Sequence, residues 1–298
     1  MTIYCVIMKL LKSTAKFSLT PLVCLYASFT YASEIVMVNA PLSQEDRRYD
    51  YPQKLLGEVL LATEKQYGSA IVRQADFPMK RNRALLELEK GQIIHVMAEA
   101  PKPGWEERLI PVRIPIRKGL QGYRTFLILK QNQQMLSKIK TLEEFKKLAT
   151  GSGKQWSTTR VLKSNGFNLV LGRDYEGLFG MLVRGRFITF GRGINETAVE
   201  YNNHKEKFPE LAIEKDLLLY IPLPTYFFVT PTKPKLAERI ETGLKTMIAD
   251  GSFEKIFEEH FGLLIKNSNL EHRRIFRINN PNLSPETPLD NLGYWYQP

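Results

Sequence analysis

The stretch LAERIETGLKTMIADGSFEKIFEEHFG, Leu236 to Gly262, reads as two helices broken by one glycine. Leu236, Ile240, Leu244 and Met247 recur at helical spacing and predict a helix over 233–250. Gly251 stops it, and Ser252 opens a second, shorter helix through Phe261. Just upstream, Leu217–Ile221 and Tyr226–Val229 are short apolar strands separated by Pro222 and Pro224.

Working outward, the chain alternates strands and amphipathic helices. Glu34-Ile-Val-Met-Val opens a strand, and 51–68 is a helix with Leu55, Leu56, Val59 and Leu60 on one face. Residues 70–72 form a strand, 80–90 a helix closed by Gly91, and 93–97 a buried strand. This β-α-β-α-β order predicts a mainly parallel sheet covered by helices. A Pro-rich irregular stretch over 101–115 and a strand over 124–129 follow. A second cycle begins with Thr141-Leu-Glu-Glu144, a capping box whose hydroxyl and carboxylate satisfy orphan helix amides. It continues with helices over 158–165, 175–184 and 194–205, and strands over 168–171 and 187–190. Two α/β units of about 100 residues result, and adding the last strand and the 236–262 helices to the first unit balances their sizes.

A length of 298 residues fits about two domains. Hydrophobic residues make up 43% and charged residues 24%, which excludes a disordered or collagen-like chain. The absence of an 18-residue apolar run argues against a multi-pass membrane protein. Lys9, Lys12 and Lys16 precede the 13-residue apolar run Phe17–Phe29 and then Thr30-Tyr31-Ala32, the pattern of a secretory signal cleaved between Ala32 and Ser33. Met8 offers a tidier start than Met1. Cys5 and Cys24 both lie in the removed part, so no disulfide or thiolate zinc site is expected, and the four His lack ligand-like spacing. No cofactor is expected. After removal of three lysines and no acid, 39 Lys and Arg face 31 acids, a charge of +8. Export and the lack of a run of five basic residues argue against a nucleic-acid partner. The 73–124 segment carries 11 basic against 6 acidic residues, a surplus that suits either a generally basic surface or a site for an anionic group.

Five stretches in order resemble one family: RALLELEKGQIIHV, VRIPIRKGLQGYRTFLIL, TLEEFKKL, LFGMLVRGRFITF and the 236–262 helix pair. They are similar to the extracellular solute-binding proteins of family 3, the amino-acid-binding type of bacterial uptake systems, over about residues 34–262. The resemblance implies an α/β, type II periplasmic-binding fold, two lobes joined by two crossing strands with ligand between them. The implied division is a signal over 1–32, lobe 1 over 33–130 plus 225–262, lobe 2 over 131–224, and a C-terminal extension over 263–298 packed on the body. Crossings are then expected near Lys130 and Thr225. In the extension, Tyr294, Trp295 and Tyr296 are read as pins.

The resemblance also carries residue roles. An Arg in lobe 1 pairs with the ligand carboxylate in that family, and Arg108 is the positional match, with Arg117 a second candidate. A planar guanidinium fork suits such a pair. A small-residue turn at a helix N-terminus holds the carboxylate from lobe 2, and 150–160 is the matching stretch, with Ser157 or Thr158 as cap or contact and Trp156 as a wall. Tyr49 matches an aromatic lid. The family's partner for an α-ammonium would fall near Gly193, which has no carboxylate; Arg192 stands beside it, and Glu196 can replace the missing charge or cap a helix. The lobe-1 acidic position is Ile94, so a standard α-amino-acid site is not expected.

The implied function is that of an exported periplasmic protein, not an enzyme. It is expected to be a monomer that holds a small polar, anionic or amino-acid-like solute and presents it to a membrane permease or sensor. Two alternatives stand beside it. One is a dehydratase-like enzyme with Glu196, Glu99 or His95 as acid/base, although His95 in an apolar strand suits a core role. The other is a degenerate scaffold acting through protein contacts.

Overall fold

Two β-sheets organise the computed structural model, which describes residues 33–43, 46–154 and 156–298. The expected signal, with Ala32, lies outside the described residues, and Ser33 is the first residue within them. In chain order the first part runs β1 (Glu34–Ala40), α1 (Asp50–Ala62), α2 (Glu64–Tyr67), β2 (Ala70–Pro78), α3 (Arg81–Lys90), β3 (Val96–Glu99) and β4 (Ile110–Val112). The apolar stripe of Leu55, Leu56, Val59 and Leu60 lies buried on α1, and α3 ends at Gly91, whose left-handed backbone (φ 65°) favours glycine.

The chain then enters the second sheet with β5 (Tyr123–Leu129), α4 (Gln133–Ser137), α5 (Leu142–Lys147), β6 (Thr150–Gly153), α6 (Ser157–Ser164), β7 (Leu169–Gly172), α7 (Tyr175–Val183), β8 (Thr189–Gly193), α8 (Ile194–His204), β9 (Leu211–Ile213) and β10 (Leu217–Tyr220). It returns as β11 (Tyr226–Val229), α9 (Pro234–Ala249) and α10 (Ser252–Ser268), and ends beyond β12 (Arg274–Arg277). The sheet orders are β2-β1-β3-β11-β4 and β12-β10-β5-β8-β6-β7, with β9 also on β5. β1 runs parallel to β2 and β3, and β6 runs parallel to β7 and β8.

Three expectations are corrected by the sheets. The strand over 124–129, assigned to lobe 1, is β5 of the second sheet, antiparallel to β8 and β10. All seven of its residues are buried, the pattern of an interior strand covered on both faces. The first crossing therefore precedes Tyr123 instead of falling near Lys130. The extension does more than pack on the body: α10 continues to Ser268, and β12 adds an edge strand parallel to β10. The small-residue run Thr150–Gly153, read as a turn, is the interior strand β6. Its glycines leave room for rings, since a Cβ at Gly151 would strike Phe187 and one at Gly153 would strike Trp156.

Where the chain crosses between sheets, its two connections touch. Ile116 N–H donates to Thr225 O at 2.9 Å and Ile221 N–H donates to Gly122 O at 3.0 Å. A methyl group on Gly122 would run into the Ile221 carbonyl oxygen. The largest apolar cluster runs from Val36 and Leu55 through Ile116 and Leu120 to Tyr123 and Leu218, so the two lobes share a core at the crossing. The tail grips this place. Tyr296 N–H donates to Lys118 O and Tyr123 OH donates to Tyr296 O, both at 2.8 Å, while Asn280 Nδ2 donates to Pro222 O at 2.9 Å. Trp295 is buried over Gly119. Among the described residues, no helix is long and apolar enough to cross a membrane.

Candidate functional site

In open α/β sheets, ligands lie outside the carboxyl ends of the parallel strands. In the first sheet those ends are Ala40 and Glu99; in the second they are Gly153 and Gly193.

At the first edge, buried Asn39 ties strand to loops. Its amide nitrogen donates to Met79 O at 2.9 Å and Tyr49 OH at 3.3 Å, and its oxygen accepts from Met79 N–H at 3.1 Å. Tyr49 lines a small cavity of about 20 Å³ with Asn39, Pro52, Leu56 and Phe227, room for about one water. Glu99 accepts from Arg81 Nε at 3.0 Å. Arg48 forks onto Asp46 with two 2.7 Å bonds, which hold the Asp46 carboxyl well below its usual range. Arg117 donates from Nη2 to Arg48 O at 2.9 Å, while its Nε finds no partner among the described residues. Burial pushes the Arg117 guanidinium down. Lys102 is also lowered, first by burial, then by the charge of Arg81 and, from α6 in the second lobe, that of Arg160. Arg108 does not join this group: its Nη1 pairs with Glu89 at 2.6 Å and its Nε donates to Gly104 O at 2.9 Å.

At the second edge the side chains close on one another. Arg192, 8% exposed, donates from Nε to Glu200 Oε2 at 2.7 Å and from Nη2 to Glu200 Oε1 at 2.6 Å. Glu196 Oε1 is 3.2 Å from the same Nη2, and Glu196 Oε2 accepts the Gly193 N–H at 2.9 Å, capping α8. Trp156 lies 4.4 Å from the Arg192 guanidinium carbon, a cation–π distance. Burial opposes the Arg192 charge, but the two carboxylates outweigh it and raise its pKa. Arg124 of β5 sits in the same cluster, donating from Nη2 to Gly191 O at 3.0 Å. Burial, aided by the like charge of Arg192, pushes it down to about 10, which leaves it charged at neutral pH. The cap expected from Ser157 or Thr158 is corrected: Trp156 occupies the N-cap without a side-chain bond. Thr159, not Thr158, holds the turn, its hydroxyl 2.7 Å from Gly153 O and 2.6 Å from Ser152 Oγ. Thr158 is buried in the first turn of α6.

The structure thus gathers Trp156, Arg192 and Glu196 in the second lobe, and Tyr49 and Arg117 in the first, while Arg108 is turned away. Arg124 joins the second group because β5 belongs to the second sheet, which a sequence lacking pairing information does not disclose. Lys102 and Arg160 gave no signal beyond the general basic surplus. The three carboxylate or imidazole candidates for acid/base chemistry stand apart. His95 precedes β3 and accepts Met37 N–H at Nδ1, Glu99 ends β3, and Glu196 belongs to the other lobe. Among the described residues no group of His, Cys, Asp and Glu forms a metal site.

These two sheets and their crossing define a type II periplasmic-binding fold. The fold is shared with the probable amino-acid ABC transporter extracellular-binding protein ytmK from Bacillus subtilis, at 15% identity and a TM-score of 0.52, over 76% of this chain and 98% of that one. An ancestral arginine-binding protein bound to glutamine is similar at 18% identity and a TM-score of 0.46, covering 78% and 100% of the two chains. A structure concerned with glutathione import via GshT and the cystine ABC importer TcyBC of Streptococcus mutans is similar at 13% identity and 0.49, covering 78% and 96%. No protein-family model matches the sequence, and no curated protein matches it.

Proposed function

We propose that this chain is a divergent solute-binding protein of the amino-acid-binding type, exported to the periplasm with its signal removed. It would present a small anionic solute to a membrane permease or sensor. The observation that carries the anionic character is the set Lys102, Arg117 and Arg160. None of the three forms an ion pair among the described residues: Arg81 and, from the facing lobe, Arg160 repel Lys102, and Glu99 is the acidic group that acts on both Lys102 and Arg117. A bound anion would relieve the repulsion of Lys102 by Arg81 and Arg160 and would give Arg117 an acceptor for its unpaired Nε. Tyr49 and Trp156 supply aromatic walls, and the Arg192–Glu196–Glu200 cluster supplies a rigid floor. Arg117 replaces Arg108 as the anchor, since Arg108 would first have to break its bond to Glu89. Bending at the crossing would close the lobes on the solute.

A second reading has its own support. The Arg192 cluster at the second edge satisfies its charges internally, and the tail clamps both connections. A scaffold that no longer closes, working through protein contacts, would look the same there.

A thermal-shift screen with amino acids, dicarboxylates, sugar acids and polyamines tests both. Binding to the native state alone stabilises by about 2.7 kcal/mol at 100 times Kd. A rise confined to carboxylate-bearing compounds is expected. A rise with polyamines would overturn the anionic assignment, and no rise at all would favour the scaffold.

A further inference from the structure

The opposite end of the first sheet holds a basic cavity. It has a volume of about 490 Å³, inside the range of small-molecule sites, and is lined by Glu34, Tyr67, Thr232, Lys233, Lys235 and Arg239. Seven-residue β1 separates it by about 20 Å from the edge described above, so it lies outside the proposed interlobe site. Lys233 is the N-cap of the 16-residue α9 and makes no side-chain cap bond. Pro234 follows at the first helical position. Leu236 N–H turns back to Lys233 O at 3.0 Å, so the helix offers the cavity the Lys235 amide and the positive end of its dipole.

Arg239 gives the independent sign of a ligand. Its residue is 1% exposed. Nε donates to Thr63 Oγ1 at 3.0 Å, and Nη2 donates to Leu60 O at 2.9 Å and Gly68 O at 2.8 Å. Those bonds fix the guanidinium. Nη1 is left without a hydrogen-bond partner among the described residues. Its nearest carboxylate oxygen, Glu34 Oε2, is 3.7 Å away, beyond hydrogen-bond reach. Glu34 Oε1 is 3.6 Å from Lys233 Nζ, equally loose. A buried guanidinium N–H without a partner is costly, and a ligand acceptor in the cavity would remove that cost.

We infer that this cavity binds a phosphate group, as a soluble phosphate monoester. Lys233, Lys235 and Arg239 outnumber Glu34 and Glu64, the two carboxylates that act on Arg239, and the surplus suits an anion with several acceptor oxygens. Once Glu34 swings away from Lys233 and Arg239, a phosphate oxygen takes the Nη1 hydrogen and another takes the Lys235 amide. Tyr67 and Leu236 give the rest of the ligand an apolar wall.

The test is a titration of the 15N-labelled full chain with inorganic phosphate at constant ionic strength, followed through the amides of Lys235, Leu236 and Ala237. Saturable shifts are expected. Lys233→Gln, a half-exposed change that leaves the Arg239 bonds in place, should weaken binding about fivefold or more, and Glu34→Gln should tighten it. Arg117→Ala should leave these shifts unchanged, which separates this site from the interlobe one. Non-saturating shifts, or equal affinity in Lys233→Gln, would overturn the site. Binding to phosphatidylglycerol vesicles with none to soluble phosphate would overturn the soluble-monoester assignment.

Discussion

The two facing edges of this protein treat charge in opposite ways. At the second edge Arg192 is spent inside the chain, forked onto Glu200, braced by Glu196 and covered by Trp156. At the first edge Arg117 donates to a backbone carbonyl while its Nε has no partner among the described residues, and Lys102 feels Arg81 and Arg160 against the single carboxylate of Glu99. A guanidinium that is buried and fully paired holds structure; one left without a counter-ion awaits an anion. The first edge is therefore the specific half of the proposed site, and the Arg192 cluster its rigid support, with Arg160 of α6 adding its charge from that side.

Variants can break or sharpen this contrast. The largest effect is expected for Arg192→Ala, which strands Glu200 in a nearly closed environment and should lower unfolding free energy by about 3–5 kcal/mol, read by urea denaturation. Gly122→Ala comes next. Its methyl group meets the Ile221 carbonyl at the crossing, so about 2 kcal/mol or more should be lost, and limited proteolysis should find the connection opened. Arg117→Ala should do the reverse of Arg192→Ala. It should weaken an anionic solute about tenfold, a change of about 1.4 kcal/mol, while leaving the melting temperature nearly unchanged. The smallest effect is set by Thr141→Ala, remote from both edges. It removes half of an observed capping box and should cost about 1 kcal/mol of stability without altering affinity.

What the sequence disclosed follows the range of its signals. Local signals gave the helices closely: Gly91 ends α3, the Thr141 box opens α5, and Leu236 to Met247 define α9. Signals that depend on distant partners were missed. Proline hid β4, whose Pro111 sits beside Phe228 of β11. Small residues hid β6, because the rings that need its glycines come from Phe187 and Trp156. The polar tail hid β12, yet Phe276 stacks on Phe145 at 5.6 Å within the second core. The site follows the same rule. The family resemblance pointed to Arg117, Trp156, Arg192 and Glu196, but only the fold shows that Glu200 takes up Arg192, that Glu89 takes up Arg108, and that Arg124 sits on the second sheet.

Calorimetric titration of wild type and Arg117→Ala in parallel, with a panel of mono- and dicarboxylates, tests the central claim most directly. The account predicts saturable binding of an anionic compound by the wild type and affinity about tenfold lower in the variant, with both proteins melting alike. Equal affinity in the two proteins, or binding of none of the anions, would contradict it.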